Sequence, residues 1–252
     1  MSGISVFMYH QVGKFAPMKT HRASYCDVDR FRAQMKVLRT LGIKVLSMHE
    51  MMQALNGQIP MPKRAAVLTF DDGCANFYDN ALPILEEFGY PAIVYVIAGM
   101  VGGEAQWLAA ENHPTPPLMD YAQLREIARR GVAIGSHANS HVHLAQLSEQ
   151  EQFHELAVSK ERLQQELGQE VEHVCYPYGS YNLTTMLAAE RAGYLTGMTC
   201  DRGAATPAFD LLALPRKAIS YGDNVLGFTW KLYNKDAPKE KMLFRAGHHT
   251  KP

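Results

Sequence analysis

An α/β fold with a mainly parallel sheet is predicted for this 252-residue chain by three features. Short apolar runs rich in β-branched and aromatic residues alternate with longer helix-like segments, the pattern of βα units. Glycines stand where the helical patterns stop, at Gly42, Gly89, Gly131, Gly168 and Gly193, where a left-handed residue ends a helix at little cost. The length suits one substantial core and falls in the range of single α/β barrels as well as of two small domains. One domain over residues 1–235 is the reading adopted.

The strands are expected at 4–8, 43–46, 65–70, 92–97, 132–135, 171–176, 194–199 and 214–219, each a short apolar run bounded by turn residues. Helices are expected at 27–41, 48–55, 76–88, 121–130, 149–167 and 182–192. Ser148-Glu149-Gln150-Glu151 forms a capping box at the start of the fifth. The segment 99–119 is too long and too rich in Gly and Pro for a simple connection, carries Trp107, and is expected to serve function. Beyond Tyr233 the chain turns polar, and 236–252, with His248 and His249, is expected to form a loose tail.

Composition narrows the partners. Lys plus Arg equals Asp plus Glu at 25 each, so no net field gathers nucleic acid or an anionic membrane. No apolar run is long enough to span a bilayer. The first ten residues read as a strand rather than an export signal. Cys26, Cys74, Cys175 and Cys200 are scattered without a CxxC pair, as expected of reduced thiols in a cytoplasmic protein. A small molecule or sugar is the expected substrate.

Val67-Leu68-Thr69-Phe70-Asp71-Asp72-Gly73 runs an apolar strand into two carboxylates. Ser136-His137-Ala138-Asn139-Ser140-His141 places two imidazoles four residues apart after another strand, and Cys175-Tyr176-Pro177-Tyr178-Gly179 follows a third. With His10, these motifs fall just past strand C-terminal ends, the face where α/β barrels build active sites. Two histidines and a carboxylate hold a divalent metal while leaving positions open, a role for Asp72, His137 and His141. Asp71 is then the candidate base, and the backbone N–H of Tyr178 the candidate donor to a developing oxyanion. Alone, a DDG triplet is more often a turn, and paired histidines are more often a helix face; their company makes the case. His143 is an alternative to His141 in the ligand set. Trp107 either stacks on a sugar face or plugs its own loop.

These motifs together resemble the polysaccharide deacetylase family, also called the NodB-homology domain or carbohydrate esterase family four. Thr69-Phe70-Asp71-Asp72-Gly73 matches its TFDDG motif, His137 and His141 match HxxxH, and Cys175 to Gly179 match RxPYG with cysteine in place of arginine. The resemblance implies an irregular (β/α) barrel and a hydrolase that removes N-acetyl groups from an amino sugar in a glycan or glycan precursor. It implies one divalent ion, zinc foremost with cobalt or nickel as alternatives, with Asp72, His137 and His141 as ligands and Asp71 as base. Pro177 and Tyr178 would line the substrate site with Trp107. The missing arginine leaves Asp71 in need of a partner, for which Arg216 is the candidate; a separate structural ion pair is its other reading. No late Leu-x-His motif is found. Met8-Tyr9-His10-Gln11-Val12 resembles instead the MYHxV start of poly-N-acetylglucosamine deacetylases, which makes His10 the candidate acid.

Overall fold

The computed structural model describes residues 3–17, 20–111, 113–239 and 241–246, with side chains of 110 and 111 left aside. In chain order the regular elements are β1 (Ile4–Tyr9), β2 (Gln11–Gly13), β3 (Tyr25–Asp27), α1 (Val28–Thr40), β4 (Lys44–Val45), α2 (Met48–Leu55), β5 (Ala65–Phe70), α3 (Leu82–Phe88), β6 (Ile93–Val96), α4 (Tyr121–Arg129), β7 (Ala133–Ser136), α5 (Glu149–Leu167), β8 (His173–Cys175), α6 (Leu183–Arg191), β9 (Thr196–Arg202), β10 (Leu214–Ala218) and α7 (Val225–Tyr233).

Seven strands close into an all-parallel barrel in the order β1-β10-β9-β8-β7-β6-β5, with β5 returning to β1. β4 stands outside the ring, paired with the first two residues of β5, while β6 takes the last two. The expected barrel and its eight long-range strands are therefore present. The pattern reading assigns no element to two further pieces: the three-residue pairing of β2 with β3, and α7.

Side chains alternate along each strand. Ile4, Val6, Ala65, Val67, Ile93, Tyr95, Met198 and Leu214 meet in one core cluster, joined by Met48, Met51, Ala54 and Leu55 of α2. Phe7, Leu68, Phe70, Val94, Ile134 and Val174 lie in a second, against Phe31, Met35 and Leu38 of α1 and Leu156 and Leu163 of α5. The first set fills the barrel and the second joins it to the helices. Continued past the strand ends, the inner parity of β5 and β7 falls on Asp71 and His137, so the alternation that builds the core also aims the site.

Helix starts follow from capping chemistry. Asp27, Ser47, Asp120, Ser148 and Asn182 each accept a backbone N–H of the first turn, the last four in reciprocal capping boxes. The expected helix at 76–88 is interrupted: 77–81 form a π-type turn before α3, whose second residue is Pro83. The long segment folds back beside the DDG turn, with Met119 N–H donating to Gly73 O (2.9 Å) and Ala75 N–H to Pro117 O (2.8 Å).

The expected loose tail needs correction over 241–246. Met242 is buried, and Arg245 is paired with Asp210 (2.8 Å) and Glu190, because the otherwise buried Asp210 carboxylate needs a cation. His248 and His249 lie outside the described residues. All four cysteines are free thiols.

Gly135 is closely packed within the barrel: a Cβ there would meet the Tyr95 ring at 2.5 Å and His173 O at 3.0 Å. Gly135→Ala should therefore lower stability by about 1–3 kcal/mol, the usual range for overpacking, seen as a lower urea midpoint; an unchanged midpoint would contradict this packing.

Candidate active site

Asp71, Asp72, His137 and His141 line one cavity of about 170 Å3 with His10, Trp107 and Tyr178. The ladder registers explain why. Asp71 N–H donates to Tyr9 O (2.9 Å), which sets His10 beside Asp71, and His137 N–H donates to Val96 O (2.8 Å), continuing the β6–β7 pairing. Residues far apart in sequence are thereby brought to the carboxyl ends of adjacent strands.

Asp72 Oδ1 lies 3.4 Å from Nε2 of both His137 and His141. Metal–ligand bonds of about 2.1 Å at tetrahedral angles put neighbouring donor atoms about 3.4 Å apart, so this spacing fits one shared divalent ion. His137 Nδ1 lies 2.7 Å from the Cys175 carbonyl; as its donor, it leaves the Nε2 lone pair for the cation. With no cation between them, burial raises the Asp72 carboxyl, but hydrogen bonds that the Nε2–H groups of His137 and His141 then donate outweigh it and hold the group well below the usual range. Burial pushes the His141 ring down from the ordinary histidine value. Among the described residues, Asp71, His137 and Cys175 form a second close donor set, but Asp71 and Cys175 are both engaged by Arg216 and the thiol is raised far up by burial. Asp72, His137 and His141 are the better ligand set. His143 is not part of it; its ring stacks on Tyr178 at 4.2 Å.

The Asp71 carboxylate is held in a two-pronged fork. Arg216 Nη1 and Nη2 donate to its two oxygens at 2.7 Å each, and the guanidinium also reaches Thr69 Oγ1, Thr199 O and the Cys175 sulfur at 2.9–3.1 Å. Arg216 thus stands on β10 where the sequence pattern expects an arginine at position 175, and Cys175 packs against it. Burial raises Asp71, yet the Arg216 charge and hydrogen bonds prevail and hold it below the usual carboxylate range. His10 Nε2 lies 3.8 Å from Asp71 Oδ2.

Tyr178 turns with φ 58° in a short helical turn, 177–179, and its side chain is 48% exposed at the rim. Pro177 does not line the cavity, contrary to the expectation of substrate contact; it is buried in the turn that presents Tyr178. Trp107 does reach the cavity, packed on the His141 ring at 4.3 Å. It also touches the small cluster of Cys74, Ala105, Leu108 and Leu118, so it holds down its loop as well as lining the site.

Asp72, Ala138, His141 and Tyr178 all have positive φ, between 55° and 73°. Such conformations cost about 1–3 kcal/mol each when β-carbons are present and persist where surroundings enforce them. For the histidine loop the enforcement comes from Glu155 of α5, a residue that motif reading passes over. Its carboxylate accepts Asn139 N–H (3.0 Å), Ser140 N–H (2.9 Å) and the Ser140 hydroxyl. An acidic residue on a helix ordinarily signals only a solvated face; the signal here is its position one helix after a loop with two bare N–H groups.

Two predictions follow from these contacts. Glu155→Ala should weaken divalent-metal affinity about 10–100-fold by freeing the loop, with Glu155→Gln retaining more of it; equal affinity in titrations of all three proteins would deny Glu155 this role. Arg216→Met should cost about 3–5 kcal/mol at neutral pH by stranding a buried carboxylate. Because the pairing lowers the Asp71 pKa, its stabilisation is present above the ordinary value of about 3.9 and is lost as pH falls through the lower folded value. The gap between parent and variant in chelator should therefore be largest at pH 7 and shrink below about pH 4; a pH-independent gap would refute the pairing's contribution.

The Polysaccharide deacetylase family model matches residues 58–197. YxkH of Bacillus subtilis, named for the same family, is 30% identical over 219 residues, 87% of this chain and 72% of that protein. Poly-beta-1,6-N-acetyl-D-glucosamine N-deacetylase of Staphylococcus aureus is 26% identical over 231 residues, 84% of this chain and 77% of its own length. Among solved structures, the Streptococcus pyogenes deacetylase PplD in complex with acetate superposes with a TM-score of 0.78 at 29% identity, covering 91% of this chain and 98% of that one. This chain belongs to the polysaccharide deacetylase family, and is by that membership a hydrolase acting on non-peptide amide bonds.

Proposed function

We propose that this enzyme removes N-acetyl groups from an amino sugar in a glycan or glycan precursor, with one divalent metal ion, zinc foremost, held by Asp72, His137 and His141. The observation that carries the reading is the convergence of two Nε2 atoms on Asp72 Oδ1 beside an arginine-locked Asp71, all in one cavity. The likeness to an N-acetylglucosamine polymer deacetylase supports the substrate class. No described helix is long and apolar enough to cross a membrane.

Asp72, His137 and His141 would hold a divalent cation, which when bound would supply an acidified water and polarise the acyl oxygen. Asp71 takes the water proton; a carboxylate held this firmly in its ionised form accepts one only from an acidified donor, so base and ligands work as one device. Both carboxylate oxygens are aimed by the Arg216 fork, and the backbone N–H of Tyr178 donates to the acyl oxygen as negative charge builds there. His10, across the cavity beside Asp71, gives its proton to the departing nitrogen as the C–N bond breaks, releasing acetate and a free amine. Tyr178 and Trp107 offer aromatic faces to the sugar. A carbohydrate-binding protein without turnover is the second reading, motivated by the cysteine in place of the motif arginine and by the missing late histidine; the Arg216 fork answers the first of these.

Acetate release from N-acetylglucosamine and its β-1,6 oligomers, with chelated protein and then with zinc, cobalt or nickel, is the test. Metal-restored release is expected; silence with metal bound would send the reading to another C–N substrate. Asp71→Asn should retain metal and lose turnover by about 10²–10⁴-fold, whereas His137→Ala should lose both. Equal metal loss in the two variants would overturn the division of roles.

A further inference from the structure

The two histidines of the ligand set are oriented by different means. His137 has a hydrogen-bond partner at Nδ1, the Cys175 carbonyl. The Nδ1 of His141 is buried with no hydrogen-bond partner among the described residues, on a side chain 5% exposed. A ligating imidazole ordinarily has its second nitrogen fixed by a carboxylate, carbonyl or water. The His141 ring packs against two others, Trp107 with centroids at 4.3 Å and planes inclined by 44°, and Tyr178 at 4.5 Å and 46°, and the Tyr178 ring continues onto His143 at 4.2 Å. Four rings from three loops form one column that passes through a residue of the ligand set.

We infer that Trp107 is a positioning residue for the metal centre: its indole packing, with that of Tyr178, sets the plane of His141. The inference rests on Asp72, His137 and His141 being the ligands, and assigns Trp107 a role in metal affinity separate from any contact with sugar. The physical case has three parts. Ring packing in this range constrains an imidazole against tilting. His141 has φ 55°, a strained backbone conformation that persists only where its surroundings enforce it. And Trp107 is fixed from behind by Leu108, Ala105, Cys74 and Leu118, so the wall does not yield. The long segment is in this way mechanically joined to the centre: it reaches the DDG turn through Met119 and Pro117, and the histidine loop through the indole.

The test is metal affinity, measured by competition with a chromophoric chelator for zinc and cobalt in the full chain, comparing parent, Trp107→Ala, Trp107→Phe and His137→Ala. The alanine variant should bind about 10–100-fold more weakly, the phenylalanine variant should recover most of that loss, and the visible spectrum of the cobalt form should change in the alanine variant alone. Thermal melts in chelator separate this from general destabilisation, which would lower the melting temperature of Trp107→Ala without altering the affinity of its folded form. As a second readout, Trp107 and Trp230 are the two tryptophans of the chain; in a Trp230→Phe background, cobalt should quench the remaining indole emission in step with binding. Alanine-variant affinity within twofold of the parent, or binding without quenching, would overturn the inference while leaving the ligand assignment standing. A parent that binds no metal, or a His137→Ala protein that binds as tightly as the parent, would overturn the ligand assignment and this inference with it.

Discussion

The buried ion pair between Asp71 and Arg216 is the interaction on which the site depends. Both side chains are almost wholly removed from water, at 2% and 0% exposure, and two charges in such surroundings survive only as a well-made pair. The five guanidinium contacts, to Asp71, Thr69, Thr199 and Cys175, satisfy this β10 arginine from β5 and its end, β8 and β9 at once. The pair therefore ties β10 to the end of β5 across β1, which stands between them in the ring, and the contacts that stabilise it also fix the orientation of the Asp71 carboxylate.

Around that pair the structure spends strain. Asp72, Ala138, His141 and Tyr178 occupy backbone conformations that side chains resist, and each lies on a loop immediately past a barrel strand. The compensations are local: Glu155 satisfies the bare N–H groups of the histidine loop, and the long segment bonds back to the DDG turn. Rigid strands carry the residues whose position follows from alternation, and the strained loops carry those that must turn inward against it.

Much of this was readable from residues alone, and the exceptions have physical causes. Strands and helices with clear periodicity and glycine stops fall where the pattern puts them, His10, Asp71 and His137 stand just past the strand ends that precede them, and Arg216 lies on the late strand that carries Leu-Pro-Arg. The helix at Val225–Tyr233 escaped because its apolar residues do not keep to one buried face: Leu226 and Trp230 are exposed while Phe228 and Leu232 are buried. The β2–β3 pairing is too short for any periodicity to register. Glu155 had no motif, since its meaning lies in two N–H groups on another element. Pro177 was given substrate contact because it sits in a site motif, whereas its task is to shape the turn beneath a neighbour.

The placement of the arginine on β10 has a consequence for biosynthesis. The barrel closes between its first and last strands, and the guanidinium that neutralises Asp71 is supplied by the last. Until residue 216 has been synthesised, the carboxylate that follows β5 lacks the guanidinium that neutralises it. The cavity that holds Asp71 therefore acquires its internal charge balance only when the strand that carries Arg216 is in place.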